Sequence, residues 1–176
     1  DVEIAITWVY TWYDPGKEKD AAVAMIQQGC DVLAQHTDSP APLQAAQEAG
    51  IVGFGQASDQ AKFAPKAQLT ASIDNWGPYY IAKVGQVLDG TWTSGDYFGT
   101  MDEGAVQMAP FANMPPMIAE EAQRIKDAIS SGELHGFTGP INKQDGTPFL
   151  AEGEVATRAQ LDTMMFYVEG IDAKMP

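Results

Sequence analysis

Three stretches of this chain place side chains suited to gripping a small planar molecule just past an apolar strand pattern. Trp12 and Tyr13 follow "VEIAITWV", His36, Thr37 and Asp38 follow "DVLAQ", and Gln56, Ser58 and Asp59 follow "IVGFG". Aromatic rings offer a flat apolar face, while carboxyl, hydroxyl and amide groups pair with the edge of a polar heterocycle. Each residue also has a plainer role. Asp14 before Pro15 suits a helix cap, Lys17 a solvated first turn, and Asp38 either a cap or a ligand contact. His36 serves equally well to hold a loop. Trp8 sits inside the strand pattern and reads as core, and at least one of Tyr10, Trp12 and Tyr13 is expected to pack under the following helix.

Bond-making chemistry finds little support in the same residues. His36 and Asp38 share a turn without a Ser or Cys nucleophile, and neither a G-x-S-x-G elbow nor a P-loop occurs. "GFGQAS" lacks the third glycine of a dinucleotide fingerprint. His36 and His135 are far apart and Cys30 is alone, so no metal cluster, disulfide or cofactor is expected. Cys30 itself reads as a structural thiol at the end of a helix.

The elements that must carry these residues follow from periodicity. After "VEIAITWV", "DPGKEKDAAVAMIQQG" reads as a helix that stops at Gly29, and "DVLAQ" as a strand. "SPAPLQAAQEAG" reads as a second helix capped by Ser39, and "IVGFG" as a third strand. Strands alternating with helices through short connections predict parallel pairing and an α/β fold. In such sheets ligands sit beyond the carboxyl ends of the strands, so the three stretches meet at one edge. Further on, "LTASI" and "AVQMAPF" read as strands, and "NWGPYYIAKVGQVLDG" and "MPPMIAEEAQRIKDAISSG" as helices. "TWTSGDYFGTMDEG" is a loop or edge hairpin, "FTGPINKQDGTPFLAEGE" a hairpin turning at "QDGT", and "TRAQLDTMMFYVEGI" a short closing element.

The chain has 176 residues, 45% hydrophobic and 19% charged, a composition that excludes disorder and fibrous structure. Its formal net charge of −14 argues against nucleic acid or an anionic membrane surface as partner. Small molecules and proteins remain.

Longer stretches resemble a known family. "TWYDPGKEKDAA", "AMIQQGCDVLAQHTDSPAPLQAAQEAG", "FGQASDQAKFAPKAQLTASIDNWGPYY", "VLDGTW", "FTGPINKQDGT" and "YVEGI" are similar to the basic membrane protein family, the substrate-binding lipoproteins of ABC transporters for purine nucleosides and related compounds. The resemblance implies a type I periplasmic-binding-protein fold, two α/β lobes hinged around a cleft. It also implies an ABC permease as partner and an extracytoplasmic, lipid-anchored location. The chain resembles the second half of such a protein. Residues 1–73 would form the second-lobe core without its first strand and helix. Residues 74–104 would cross to the other lobe, and residues 105–176 would return.

The implied site comprises Trp12, Tyr13, His36, Thr37, Asp38, Gln56, Ser58, Asp59, Asp74 and Trp76. Two departures bear on the ligand: Gly55 stands where relatives hold ribose with a carboxylate, and Asp74 where they carry a Lys. A purine base such as adenine is therefore expected beside a nucleoside, with Trp12 stacked on the ring. Two other uses of the same edge are a nucleoside-cleaving enzyme and a ligand sensor for a membrane receptor. The crossing helix would bare Tyr79, Tyr80, Ile81, Val84, Val87 and Leu88, so the chain alone is expected to self-associate through residues 76–88.

Overall fold

The computed structural model describes residues 2–171 and 173–175. Its centre is a four-stranded sheet in the order β1 (Val32–Ala34), β2 (Val52–Gly55), β3 (Gln68–Asp74), β4 (Val106–Met108). The first three strands are parallel, with Leu33 beside Gly53 and Gly55 beside Ala71. β4 runs antiparallel to β3, pairing Ser72 with Met108 and Asp74 with Val106. β1 and β2 bury one face, with Leu33, Gly53 and Gly55 turned inward, while Val32 and Phe54 on the other face stay exposed.

Two helices cover this sheet. α1 (Pro15–Gln27) starts at the expected cap, where Asp14 Oδ1 accepts from the Lys17 N–H at 3.1 Å. α2 (Ala41–Ala49) ends at Gly50 as the pattern requires. Its cap differs from expectation. Pro40 occupies the cap position, and Ser39, one residue earlier, accepts from Ala41 N at 3.3 Å while its own hydroxyl turns toward Glu18. The core joins Ala22, Leu33, Leu43, Ala45, Ala46, Ala64 and Ala67, with Val23, Met25, Ile26, Cys30 and Ile51 packed around them. Cys30 is thus half-buried against the core, as a structural thiol should be. So many alanines let α1 and α2 approach closely. Leu43, almost fully buried, contributes about 2 kcal/mol through the area it removes from water.

The largest departure from expectation is at the start. Residues 5–11 join no strand, and Ile4 makes an isolated bridge to Ile171. Trp8, expected in the core, is 49% exposed and donates its indole N–H to the Tyr167 hydroxyl at 2.9 Å. The segment is held by the far end of the chain instead of by β1, and a cavity of ≈ 90 Å³ lined by Thr7, Val9, Ala34 and Gln35 lies between them. Strand propensity alone does not make a strand without a ladder partner.

α3 (Gly77–Leu88) and α4 (Pro116–Ser130) follow as expected, but none of the residues of α3 is buried. One face of α3 carries exposed Tyr80, Ile81, Val84, Val87 and Leu88. The stretch from Thr91 to Thr100 is loop, without a hairpin. β5 (Ile141–Asn142) and β6 (Pro148–Leu150) form the expected hairpin. Its turn is closed by Gly146 N donating to Lys143 O at 2.9 Å. α5 (Arg158–Asp162), begun by a Thr157–Gln160 capping box, is the closing element.

Candidate functional site

The loop before α1 and the loop after β1 are tied by one buried side chain. Glu18, 1% exposed, reaches back from the first turn of α1 so that Oε1 accepts from Asp14 N at 2.7 Å. Its Oε2 accepts from Ser39 N at 3.2 Å and from the Ser39 hydroxyl. A buried carboxyl group is tolerable only when its oxygens are engaged in this way. Beside it, Asp38 N donates to Trp12 O at 3.1 Å. Trp12 and Tyr13 are therefore fixed in backbone while their rings stay 75% and 65% exposed. Tyr10 is more exposed still and adopts φ 51°. The expectation that one of these three packs under α1 is not met: all three rings are exposed, and Glu18, Ala22 and Met25 of α1 line a cavity instead.

The second and third loops are tied by amides. Gln35 Nε2 donates to Thr37 O at 3.3 Å, to Ser39 O at 3.0 Å and to Gln60 Oε1 at 3.1 Å. His36 and Asp38 project into solvent and Thr37 is half-buried. Thr37 Oγ1 and Gln35 Oε1 are buried with no hydrogen-bond partner among the described residues.

In the third loop, Asp59 Oδ1 accepts from Ala61 N at 3.0 Å and from Gln68 Nε2 at 2.8 Å. These two donors hold the Asp59 carboxyl below its usual value of 3.8. The depressed value stabilises the fold above the ordinary carboxyl range, and that contribution disappears as pH falls through the lowered value. Gln56 Oε1 accepts from the Ser72 hydroxyl at 3.1 Å. Ala57, at φ 59°, sits in a three-residue turn in which Ser58 N donates to Gln56 O at 2.7 Å. A non-glycine residue held there stores strain of about 1–3 kcal/mol. The Ala57 carbonyl accepts from Asp74 N at 3.0 Å, joining this loop to the end of β3.

At that end lie Asp74, Asn75 and Trp76. Asn75 is clamped to the returning chain, its N–H on Ala105 O at 2.8 Å and its Nδ2 on Gly104 O at 2.9 Å. The Trp76 ring lies among Tyr79, Tyr80 and Tyr97, with centroids 5.8, 6.0 and 6.2 Å away. Asp74, Asn75, Trp76, Tyr97, Phe98 and Gly99 line a cavity of ≈ 160 Å³ with Ala105 and Val106. A side chain at Gly99 would collide with Ala105 and the Tyr97 hydroxyl, so only glycine lets this loop close against the sheet.

All ten residues singled out from the sequence lie at the carboxyl edge of the parallel strands or just beyond it. They fall into three groups along it: Trp12, Tyr13, His36, Thr37 and Asp38; then Gln56, Ser58 and Asp59; then Asp74 and Trp76. β1 and β3 stand two strand spacings apart, roughly 10 Å, so the outer groups do not converge on one atom. Gly55 has a packing explanation. A Cβ there would lie 2.8 Å from Ala71 Cβ and 2.9 Å from Gln68 Oε1, inside the sheet. The sheet alone therefore accounts for a glycine at this position.

The sequence reading missed Glu18, Gln35, Gln60, Gln68 and Tyr97. Glu18 had a signal: with Ala22 and Met25 it falls at i, i+4 and i+7 on the apolar stripe, where a charged residue needs a partner. The glutamines carry no comparable pattern. Among the described residues, no group of three or more His, Cys, Asp or Glu could hold a metal ion.

With this geometry in view, the chain can be compared with known proteins. The family profile described as ABC transporter substrate-binding protein PnrA-like (Bmp) matches residues 1–138. The chain belongs to this family of substrate-binding proteins. It is 53% identical over 176 residues to a purine-binding protein of Brucella abortus, covering 100% of this chain and 50% of that protein. A putative ABC transporter glucose-binding protein of Haloferax volcanii is 29% identical over 171 residues, covering 97% of this chain and 41% of the relative. The crystal structure of a transcriptional activator of the comK gene from Bacillus halodurans shares the fold, with a TM-score of 0.62 and 23% identity. That match covers 73% of this chain and 46% of the other. The α/β fold with a mainly parallel sheet is thus the one seen in periplasmic binding proteins, and the chain spans about half the length of these relatives.

The Glu18 tie can be tested directly. Glu18→Ala leaves the Asp14 N–H, the Ser39 N–H and the Ser39 hydroxyl without their acceptor in a closed site. The loss should be about 2–3 kcal/mol in denaturant unfolding, with Glu18→Gln losing less. Equal stability of wild type and Glu18→Ala would show that the carboxyl group holds nothing together.

Proposed function

We propose that this chain carries the purine-recognising edge of an ABC importer's substrate-binding protein, without catalytic action of its own. The observation that carries the reading is 53% identity, spanning every residue of the chain, to a protein that binds purines. The geometry supports it: Trp12 and Tyr13 stand exposed beside Asp38 at the strand-end edge where α/β sheets receive ligands. A purine stacks on Trp12 and exchanges hydrogen bonds with Asp38 and the Gln56–Asp59 loop. The protein works outside the cytoplasm, held near the membrane by a lipid anchor, and hands its ligand to a permease.

The edge forms one wall of a cleft. The exposed face of α3 packs on a second lobe supplied by further chain, a reading supported by relatives about twice as long. Closure of the two lobes around the ligand would exclude water from the polar contacts.

Trp12→Ala in the full natural protein should weaken adenine binding by at least ~1 kcal/mol, the low end for base–aromatic stacking. Unchanged affinity in a folded variant would rule out stacking on Trp12. The isolated 176-residue chain, with Tyr80, Ile81, Val84, Val87 and Leu88 bare, should self-associate in light scattering. Ile81→Glu with Val84→Glu should return it to monomer. A wild-type monomer at high concentration would contradict the unpartnered-face account.

A further inference from the structure

Trp12 and Asp38 reach the strand-end edge from two loops, and neither side chain is held by packing of its own. The Trp12 ring is 75% exposed, Asp38 projects into solvent, and residues 5–11 lead to Trp12 without joining a strand. Among the described residues, two ties join the loops: the bond from Asp38 N to Trp12 O, and the Glu18 carboxyl group. That carboxyl group divides its oxygens. Oε1 serves the first loop through Asp14 N, and Oε2 serves the second through the Ser39 N–H and hydroxyl. Asp14 lies two residues after Trp12, and Ser39 directly follows Asp38. No lysine or arginine pairs with Glu18 among the described residues, since Lys17 reaches Asp14 and Lys19 reaches Glu48. An apolar side chain on this stripe of α1 would be buried without the cost of desolvating a carboxyl group. What the carboxyl group adds is a fixed distance between two loops.

We propose that Glu18 is a positioning residue for the ligand: it presets the Trp12 ring relative to the Asp38 carboxyl group and so sets affinity without touching what is bound. At 1% exposed it is out of a ligand's reach. The proposal rests on the purine reading and adds to it the residue that prepares the site. A ring that stacks on Trp12 and bonds Asp38 at its edge needs both groups at once. Loops ordered beforehand spare the cost of ordering them on binding. Glutamine at position 18 separates this role from mere filling of space. It keeps the shape but has one acceptor oxygen, so it can serve Asp14 N or Ser39 N and turns its N–H2 group toward the other donor. The loops are then uncoupled while the core keeps its volume.

Calorimetry with adenine and amide hydrogen exchange by NMR test this on the full natural protein, in wild type, Glu18→Gln, Ser39→Ala, the double variant and Leu150→Ala. Leu150, 2% exposed in the separate two-stranded sheet, serves as a control for lost stability alone. Glu18→Gln should weaken adenine at least about five-fold and speed exchange of the Asp38 N–H that bonds Trp12 O. Ser39→Ala should act in the same direction, and the double variant should lose less than the two single losses combined, as members of one network do. Leu150→Ala should lower the unfolding midpoint and leave affinity unchanged. Wild-type affinity and wild-type Asp38 exchange in folded Glu18→Gln would overturn the proposal; if Trp12→Ala still weakens adenine, the purine reading would survive that result. An equal affinity loss in Leu150→Ala would also overturn it, because the loss would then follow stability. A wild type that binds no adenine would overturn both.

Discussion

The strand-end edge depends on a buried carboxyl group at the first turn of α1. Glu18 accepts from the loop before its own helix and from the loop that begins α2, so two turns distant in sequence share one anchor. Without it, the segment leading to Trp12 would have only the Trp12–Asp38 backbone bond to fix it on that side, because that segment joins no strand. Polar groups do the rest of the positioning. Gln35 joins the second loop to the third through Gln60, and Ala57 joins the third to β3 through Asp74. An alanine-rich core holds the helices close but leaves the edge to be shaped by these hydrogen bonds. The network is incomplete at Gln35 Oε1 and Thr37 Oγ1, which are buried without partners among the described residues.

A row of linked loops spreads functional groups along a line. The sheet sets their spacing, so aromatic rings stand at both ends, Trp12 and Tyr13 at one and Trp76 and Tyr97 at the other, with the Gln56–Asp59 turn between them. Ala61 and Gln68 donate to Asp59, which lowers its pKa and fixes its carboxyl group in the middle of the row. Strain at Ala57 is confined to the turn that links the middle to the β3 end.

Much of this was readable in the residues. Helix caps and stops gave α1 and the end of α2, short β-rich runs gave β1 to β3, and the carboxyl-edge rule placed all ten site candidates together. Elsewhere the sequence misled for identifiable reasons. "VEIAITWV" has strand propensity, but propensity does not choose a partner, and the segment is held by Tyr167 and Ile171 instead. Gly55, read as a lost ligand contact, has a packing explanation beside Ala71 as well. Tyr97 could not be assigned from its loop sequence, because only the closure of Gly99 against Ala105 brings it to Trp76. Glutamine amides bridge loops far apart in sequence, and no periodicity announces them.

The claim on which the rest turns is that a purine is held at the carboxyl edge of β1 to β3. Adenine titrated into the isotope-labelled full natural protein, followed by NMR, addresses it most directly. The account predicts that the Trp12 indole signal and the amides of Asp38, Gln56 to Asp59 and Asp74 to Trp76 shift together and saturate at one affinity. A saturable change that leaves the Trp12 indole and these amides in place, while shifting residues elsewhere, would contradict it.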